Sequence, residues 1–307
     1  MRSLIAAGEF FFDLIFYKLE RLPRMGEELV TPNFTLVLGG GAATTAIVAA
    51  RLGRRVQLAT VLGDTSLDEY AIDELKKQKI TPELIKRQSN SMGAITVAVS
   101  LPKDRFFLTY PGANVFLEKY LLSSSTRKKL AAGAHVHFAL SPREWKPYAG
   151  LLQHLKSQGL STSWDLGWHP EAVRRPGFRE CYAALDIVFL NRIEALKFAN
   201  EKTVEKAIRK LAMPGQVVVV KLGAEGAMAL GPTGLLRSKG MGVKAIDTTG
   251  AGDAFNGGFL HAWLDGKNLR HCLRTGNICG ALSTTKPGGS AAAPNETQLA
   301  RFLRKLK

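Results

Sequence analysis

The chain has 307 residues, 46% hydrophobic and 22% charged, which supplies enough apolar side chains for a large buried core and argues against extensive disorder. Its formal net charge of +16 is carried by scattered Lys and Arg, with short clusters only at Arg127-Lys128-Lys129, Arg174-Arg175 and 301–307; no zinc-finger spacing, RNP-like aromatic motif or basic heptad run accompanies them, which sets nucleic-acid binding aside. No run reaches the ~20 apolar residues that span a bilayer, and Cys181, Cys272 and Cys279, without CxxC spacing, read as buried thiols of a reducing compartment, the cytoplasm.

The opening stretch is apolar, but Glu9 and Asp13 interrupt it and no small-residue cleavage site follows. It therefore reads as a buried strand running into a second strand, not as a signal peptide. Residues 15–37 read as short strands with turns at Pro23 and Pro32. Leu38-Gly39-Gly40-Gly41 then opens a small-residue helix over 42–52, followed by a strand over 56–62 and a helix over 66–78. Segments 95–101 and 105–110 pattern as a hairpin around Pro102-Lys103-Asp104. From there, strands over 135–139, 161–165, 187–191 and 217–221 alternate with helices over 144–157, 193–200 and 204–211. Apolar strands separated by helices predict βαβ units and a mostly parallel sheet buried on both faces. Helices over 251–264, 269–284 and 296–306 close the chain, and one α/β domain over 1–307 with a small β insertion is expected. Ligands of such sheets sit beyond the carboxyl ends of the strands. Asp165, Asn191 and Lys221 fall there, on one rim.

The most informative stretch runs from Asp247 through Thr248, Thr249, Gly250, Ala251, Gly252 and Asp253 to Phe259. A strand-like segment ends near Ile246, a small-residue turn follows, and an apolar helix begins. Amides in such a turn, with the helix dipole behind them, form an anion site suited to the charge of a migrating phosphoryl group. Asp253 in the same turn is placed to take a proton from an attacking hydroxyl. Its plain alternative is a carboxylate that only favours the helix start. The flanking glycines cost conformational entropy without a packing gain visible in the sequence, which favours the functional reading.

This segment resembles the C-terminal signature of the ribokinase-like (PfkB) carbohydrate kinases, and the likeness extends over nearly the whole chain. Gly8-Glu9 followed by Asp13 is similar to the family's first-strand substrate aspartate, and Gly39-Gly40-Gly41-Ala42-Ala43 resembles its N-terminal glycine motif. Gly63-Asp64, Gly112-Ala113-Asn114, Asn191-Arg192-Ile193-Glu194, Leu222-Gly223-Ala224-Glu225-Gly226 and Lys286-Pro287-Gly288-Gly289 follow in the family's order.

The resemblance implies a three-layer α/β sandwich with a mostly parallel central sheet and a small β-strand lid from about 14–37 and 94–110. It implies ATP-dependent phosphorylation of a hydroxyl on a sugar-like molecule, with Asp253 as general base and Gly250, Ala251 and Gly252 as the anion hole. Asp13, Gly40 and Asn114 would lie near the sugar. Thr44 stands where the family usually has an asparagine; it keeps an oxygen but loses the amide's reach. Asp165, Asn191, Lys221, Gly223, Gly226 and Asn277 would contact ATP. Glu194 would act with Asn191 on Mg²⁺, largely through water. A monovalent cation such as K⁺ would sit near Asp247, Thr249 and Ser283, and the lid would also form a homodimer interface.

Within the same fold the alternative substrate is a nucleoside, and the alternative from another class is a catalytically silent nucleotide-binding regulator. The first strand lacks a following GxGxxG and the chain lacks GxxxxGK[ST], so neither a dinucleotide-dependent oxidoreductase nor a P-loop is expected. Phe10, Phe11, Phe12, Phe107, Tyr110 and Trp164 read as core packing, whereas Trp168, after a strand end, is placed to line a pocket. His135 and His137 share a strand face but have no third ligand at metal spacing.

Overall fold

The computed structural model describes residues 2–101, 105–167 and 171–305. The first elements are β1 (Leu4–Gly8), β2 (Phe11–Phe16), β3 (Phe34–Gly39), α1 (Gly41–Arg51), β4 (Val56–Leu62) and α2 (Ser66–Lys77). They are followed by β5 (Ile85–Arg87), β6 (Ile95–Ser100), β7 (Arg105–Tyr110), α3 (Leu117–Leu121), α4 (Ser124–Leu130) and β8 (His135–Ala139). Next come α5 (Lys146–Ser157), β9 (Ser161–Asp165), α6 (Phe178–Ala183), β10 (Ile187–Asn191), α7 (Arg192–Ala199) and α8 (Val204–Leu211). The chain ends with β11 (Val217–Lys221), β12 (Ala227–Gly231), β13 (Gly234–Ser238), α9 (Ala251–Leu264), α10 (Leu269–Ser283) and α11 (Glu296–Lys305).

Nine strands form one sheet in the order β13-β12-β11-β10-β9-β8-β1-β4-β5, and only the β11–β12 and β12–β13 pairs are antiparallel. The continuous apolar runs arise because both faces are covered. In β11, Val217 and Val219 pack toward α9 and α10, while Val218 and Val220 pack toward α5 to α8. Each such valine contributes about 1.5–3 kcal/mol of burial. The result is a three-layer sandwich. A second sheet, in the order β3-β2-β6-β7, pairs β2 with β6 in parallel and its outer pairs antiparallel. The Gly63-Asp64 motif ties the two sheets together: buried Asp68 accepts the amides of Gly63 (2.9 Å) and Gly93 (3.3 Å), and Asp64 accepts the amide of Asn90 (2.9 Å).

Several expectations are corrected. No strand forms before Ile246; the amides of Ile246 and Asp247 both donate to the Thr284 carbonyl at the end of α10, so this segment hangs on a helix terminus and pairs with no neighbouring strand. The β12–β13 hairpin, turned by Gly231-Pro232-Thr233-Gly234, was not anticipated, nor were β5, α3, α4 and α6. Of the region read as short strands over 15–37, only 15–16 and 34–37 join the small sheet, as parts of β2 and β3. Pro102-Lys103-Asp104 lies outside the described residues.

The aromatics divide. Phe10, Phe12 and Trp164 are fully buried, Phe10 and Phe12 meeting edge to face at 5.2 Å, whereas Phe107 and Tyr110 are both exposed, on opposite faces of the edge strand β7. Gly257 and Gly258, read with the turn glycines, do have a packing gain. A Cβ at 257 would lie 2.8 Å from the Thr45 carbonyl, and one at 258 would lie 2.6 Å from Cys279 Sγ. They let α1 and α10 close on α9.

Candidate active site

Helix α9 begins at a turn that only glycine fits well. Gly250 has φ 68°, and a Cβ there would lie 2.7 Å from Gly289 Cα in the late loop. Both oxygens of Asp247 brace the turn, one accepting the Thr249 amide (2.9 Å) and the other the Gly288 amide (2.9 Å). From α1, Thr45 donates its hydroxyl to the Asp253 carbonyl (3.1 Å). The first-turn amides of Gly252 and Asp253 find no partner among the described residues, as expected of a helix start that has no side-chain cap. Asp253 therefore does not cap its helix. Its carboxylate faces Gly41 instead, where a Cβ would lie 3.1 Å from Oδ1.

Beyond the strand ends, Asp165 and Lys221 form a buried ion pair, and Asn256, one turn along α9 from Asp253, donates its amide to Asp165 (2.6 Å). The register explains the meeting: Asp165 lies across from Phe189 in β10, and Asn191 across from Lys221 in β11. The Lys221 ammonium reaches over the turn, 3.0 Å from where a Gly252 Cβ would be. One ammonium thus serves three neighbouring carboxylates, those of Asp165, Asp253 and Glu194. That imbalance shows in their titration. Burial, and then the charge of Asp165, push Asp253 up to about 7, and the same two causes push Glu194 up to about 7. Burial works to raise Asp165, but Lys221 and the hydrogen bond that Asn256 donates to it hold it below the usual carboxylate range.

Glu194 is not the surface helix residue that its sequence position allows. It is buried and closes a capping box with Asn191: the Asn191 amide and side chain donate to its two oxygens (2.8 and 2.6 Å), and its own amide donates to Asn191 Oδ1 (2.9 Å). Among the described residues no group of three or more His, Cys, Asp or Glu side chains is placed to hold a metal. His135 and His137 are fully buried in the sheet, where Ser161 and Ser163 engage both ring nitrogens of His135 and Ser163 engages Nδ1 of His137, all at 2.7–2.8 Å. Burial drives their pKa values down to about 3 and about 4, so both are neutral.

On the small-sheet side, Asp13 in β2 packs its carboxylate against Gly39, and burial, with Asp247 and Asp253 nearby, pushes it up to about 7. Gly40 (φ 88°) brings the α1 start against the Glu9 carbonyl, where a Cβ would be 2.4 Å away. Asn114 clasps the Phe10 backbone, donating to its carbonyl (2.9 Å) and accepting its amide (3.5 Å). Thr44 is buried with its methyl toward Gly250. Asn277 donates to the carbonyls of Ser238 (3.2 Å) and Lys239 (3.1 Å), and the Ser283 hydroxyl donates to Gly280 within its own helix (2.9 Å). Gly226 passes so close to Ser238 that a Cβ would lie 2.1 Å from its carbonyl, while Gly223 borders open space. Trp168 lies outside the described residues. A cavity of about 120 Å³ remains over the strand ends, lined by Glu9, Gly41, Ser141, Asp165 and Asp253 among others. Sequence reasoning missed Asn256, Thr45 and Glu9. Asn256 alone left a signal, one helical turn from Asp253.

The description "pfkB family carbohydrate kinase" fits residues 1–296. The chain belongs to this family. As a pfkB-family kinase it is a phosphotransferase with an alcohol group as acceptor. It is similar to the ribokinase of Haemophilus influenzae, at 28% identity over 91% of each chain. It is also similar to the ATP-dependent ribose-1-phosphate kinase of Halopiger xanaduensis, at 28% identity over 99% of this chain and 98% of that one. Its fold matches Arabidopsis thaliana ribokinase, solved with ribose and ATP, with a TM-score of 0.84 at 21% identity over 99% of each chain.

Proposed function

We propose that this chain transfers the terminal phosphoryl group of ATP to a hydroxyl of a sugar, with Asp253 as the general base and the Gly250-Ala251-Gly252 turn as the anion hole. The observation that carries this reading is a carboxylate with a pKa near 7, seated in the first turn of α9 at the wall of the strand-end cavity, with a lysine ammonium over the same turn. In this role Asp253 accepts the proton of the attacking hydroxyl, while the free amides of Gly252 and Asp253, with Lys221, meet the charge of the phosphoryl group; the Ala251 amide donates to the Thr248 carbonyl and shapes the turn. Asp165 and Asn256 hold Lys221 in place. Lys221, Asn191, Gly223, Gly226 and Asn277 are assigned to the nucleotide side, and Asp13, Gly40, Thr44 and Asn114 to the sugar side. For Asn114 and Asn277 this means shaping the site, since their amides bind backbone.

Mg²⁺ belongs to the same proposal. The excess of carboxylate over ammonium charge suits a divalent cation, and Glu194 with Asn191 would hold it through water and substrate phosphates. The metal would supply charge neutralisation at the transferring phosphate. We assign K⁺ to the neighbourhood of Asp247, Thr249 and Ser283, where backbone carbonyls would supply its ligands, since both Asp247 oxygens and the Ser283 hydroxyl are engaged within the protein. The small sheet is proposed to act as a lid within a single catalytic unit over 1–307. Its exposed Phe34, Leu108 and Tyr110 suit contact with a second copy, which sedimentation would reveal as a dimer. The three buried free thiols and the use of ATP suit the cytoplasm.

An ATP-consumption screen across pentoses, hexoses, sugar acids and nucleosides, run in KCl and in choline chloride, tests the reading; absence of turnover with every acceptor would remove it. The pH profile is a second test. A base with a raised pKa is already protonated at pH values where an ordinary aspartate is charged. The log of kcat/KM for the acceptor is therefore expected to fall with unit slope below about 7. A profile flat down to pH 5 would exclude Asp253 as the titrating base.

A further inference from the structure

One acid at the cavity has no role so far. Glu9 follows the last residue of β1, and its amide donates to the Ala139 carbonyl (3.1 Å). Gly8 keeps the chain tight against β8 there, since a Cβ at 8 would lie 2.1 Å from the same carbonyl. The residue is thus fixed at the mouth of the sheet, and it lines the same cavity as Asp253. Its carboxylate makes no hydrogen bond or ion pair with any described residue, and the charged groups it interacts with, Glu118 and Asp253, are also acids. Burial, followed by Glu118, pushes it up to about 7. A largely buried carboxyl group without a protein donor is costly, and such groups persist where a ligand completes them.

The lining itself indicates which ligand. Glu9, Asp165 and Asp253 contribute three acids, Ser141 contributes a hydroxyl, and the lining contains no Lys or Arg. The nearby Lys221 is engaged by Asp165. A hydroxyl-bearing ligand supplies the donor that the Glu9 carboxylate lacks, whereas a phosphate or carboxylate carried by the sugar itself to the Glu9 side, apart from the turn amides and Lys221 that meet the transferring phosphoryl group, meets like charge.

We infer that Glu9 is a specificity-determining residue, binding a sugar hydroxyl other than the one facing Asp253 and selecting an uncharged polyol over a sugar that carries a phosphate or carboxylate. This rests on the reading of the chain as a sugar kinase with its acceptor beside Asp253. Glu9→Gln keeps the shape and removes the charge. Glu9→Asp keeps the charge and withdraws it by about one methylene.

Steady-state kinetics of the full chain with ribose, fructose, ribose 1-phosphate and 2-dehydro-3-deoxygluconate provide the test. The wild-type protein is expected to prefer a neutral sugar. Glu9→Gln should reduce kcat/KM for that sugar roughly tenfold, through KM, because the amide oxygen still accepts the hydroxyl but without charge assistance, and should narrow its advantage over the anionic acceptors. The KM for ATP should stay within about threefold, which also reports an intact fold. Glu9→Asp should lose affinity and keep the discrimination. A wild-type preference for an anionic acceptor overturns the inference, as does an unchanged sugar KM in Glu9→Gln. Where the wild-type protein phosphorylates none of the four, the same comparison is read on the neutral and anionic acceptors of the wider screen, and no turnover there either overturns the sugar-kinase reading and the inference with it.

Discussion

Asp253→Asn is expected to turn over at least ~10²-fold more slowly than the wild-type protein while binding ATP with similar affinity. The amide fills the same space beside Gly41 but cannot take a proton, so the loss should fall on kcat. ATP titration calorimetry on the same preparation separates a lost base from a lost site. Normal turnover would mean that another group accepts the proton.

The same substitution has a consequence for stability. The raised pKa means that the folded protein holds the Asp253 proton more tightly than the unfolded chain does. Between about pH 4 and pH 7 the native state therefore binds more protons, and wild-type stability falls as pH rises through that window. Asp253→Asn removes this group's share of the slope. Melting at pH 5 and pH 8 should show a smaller alkaline loss in the variant, so that a faster enzyme and a more stable one are opposite demands on this residue. An unchanged slope would show that the group titrates normally.

Asp165→Ala should destabilise the fold by about 3–5 kcal/mol, because it strands the buried Lys221 ammonium and leaves the Asn256 amide without its acceptor. The neighbouring Asp253 and Glu194 offset part of this, which favours the lower end of the range. Adding Lys221→Met removes the stranded charge and should recover much of the lost stability, but not activity, since no cation then reaches over the Gly252 turn. Urea unfolding of the two single variants and the double variant makes the comparison. If the double variant is no more stable than Asp165→Ala, the pair is not what holds this rim together.

The difference between β11 and the segment before Ile246 shows what a sequence can and cannot announce. Val217 to Val220 is apolar at every position because helices cover both faces of the strand, and that requirement is written in the residues themselves. Ile246 sits in an equally strand-like stretch, yet a strand exists only if a neighbour offers its edge, and here the partner is a helix carbonyl. The β12–β13 hairpin had its signal in Gly231-Pro232-Thr233-Gly234, but a regular βαβ rhythm obscures an antiparallel edge. Asp13, Glu194 and Asp253 could be nominated from motifs. Their elevated pKa values could not, because desolvation and mutual repulsion depend on distances among residues far apart in the chain.

Read alone, then, the residues determined the layered α/β class, the strand ends that carry Asp165, Asn191 and Lys221, and the glycine turn with its aspartate. These are local properties: periodicity, backbone freedom and the order of short motifs. The tertiary structure alone decided that Asn256 and Lys221 meet on Asp165, that Glu194 is buried, and that Glu9 joins Asp253 at one cavity. Those outcomes depend on sheet register and helix placement, which bring together side chains up to about 240 positions apart, and no local pattern encodes which of many acids will end as neighbours.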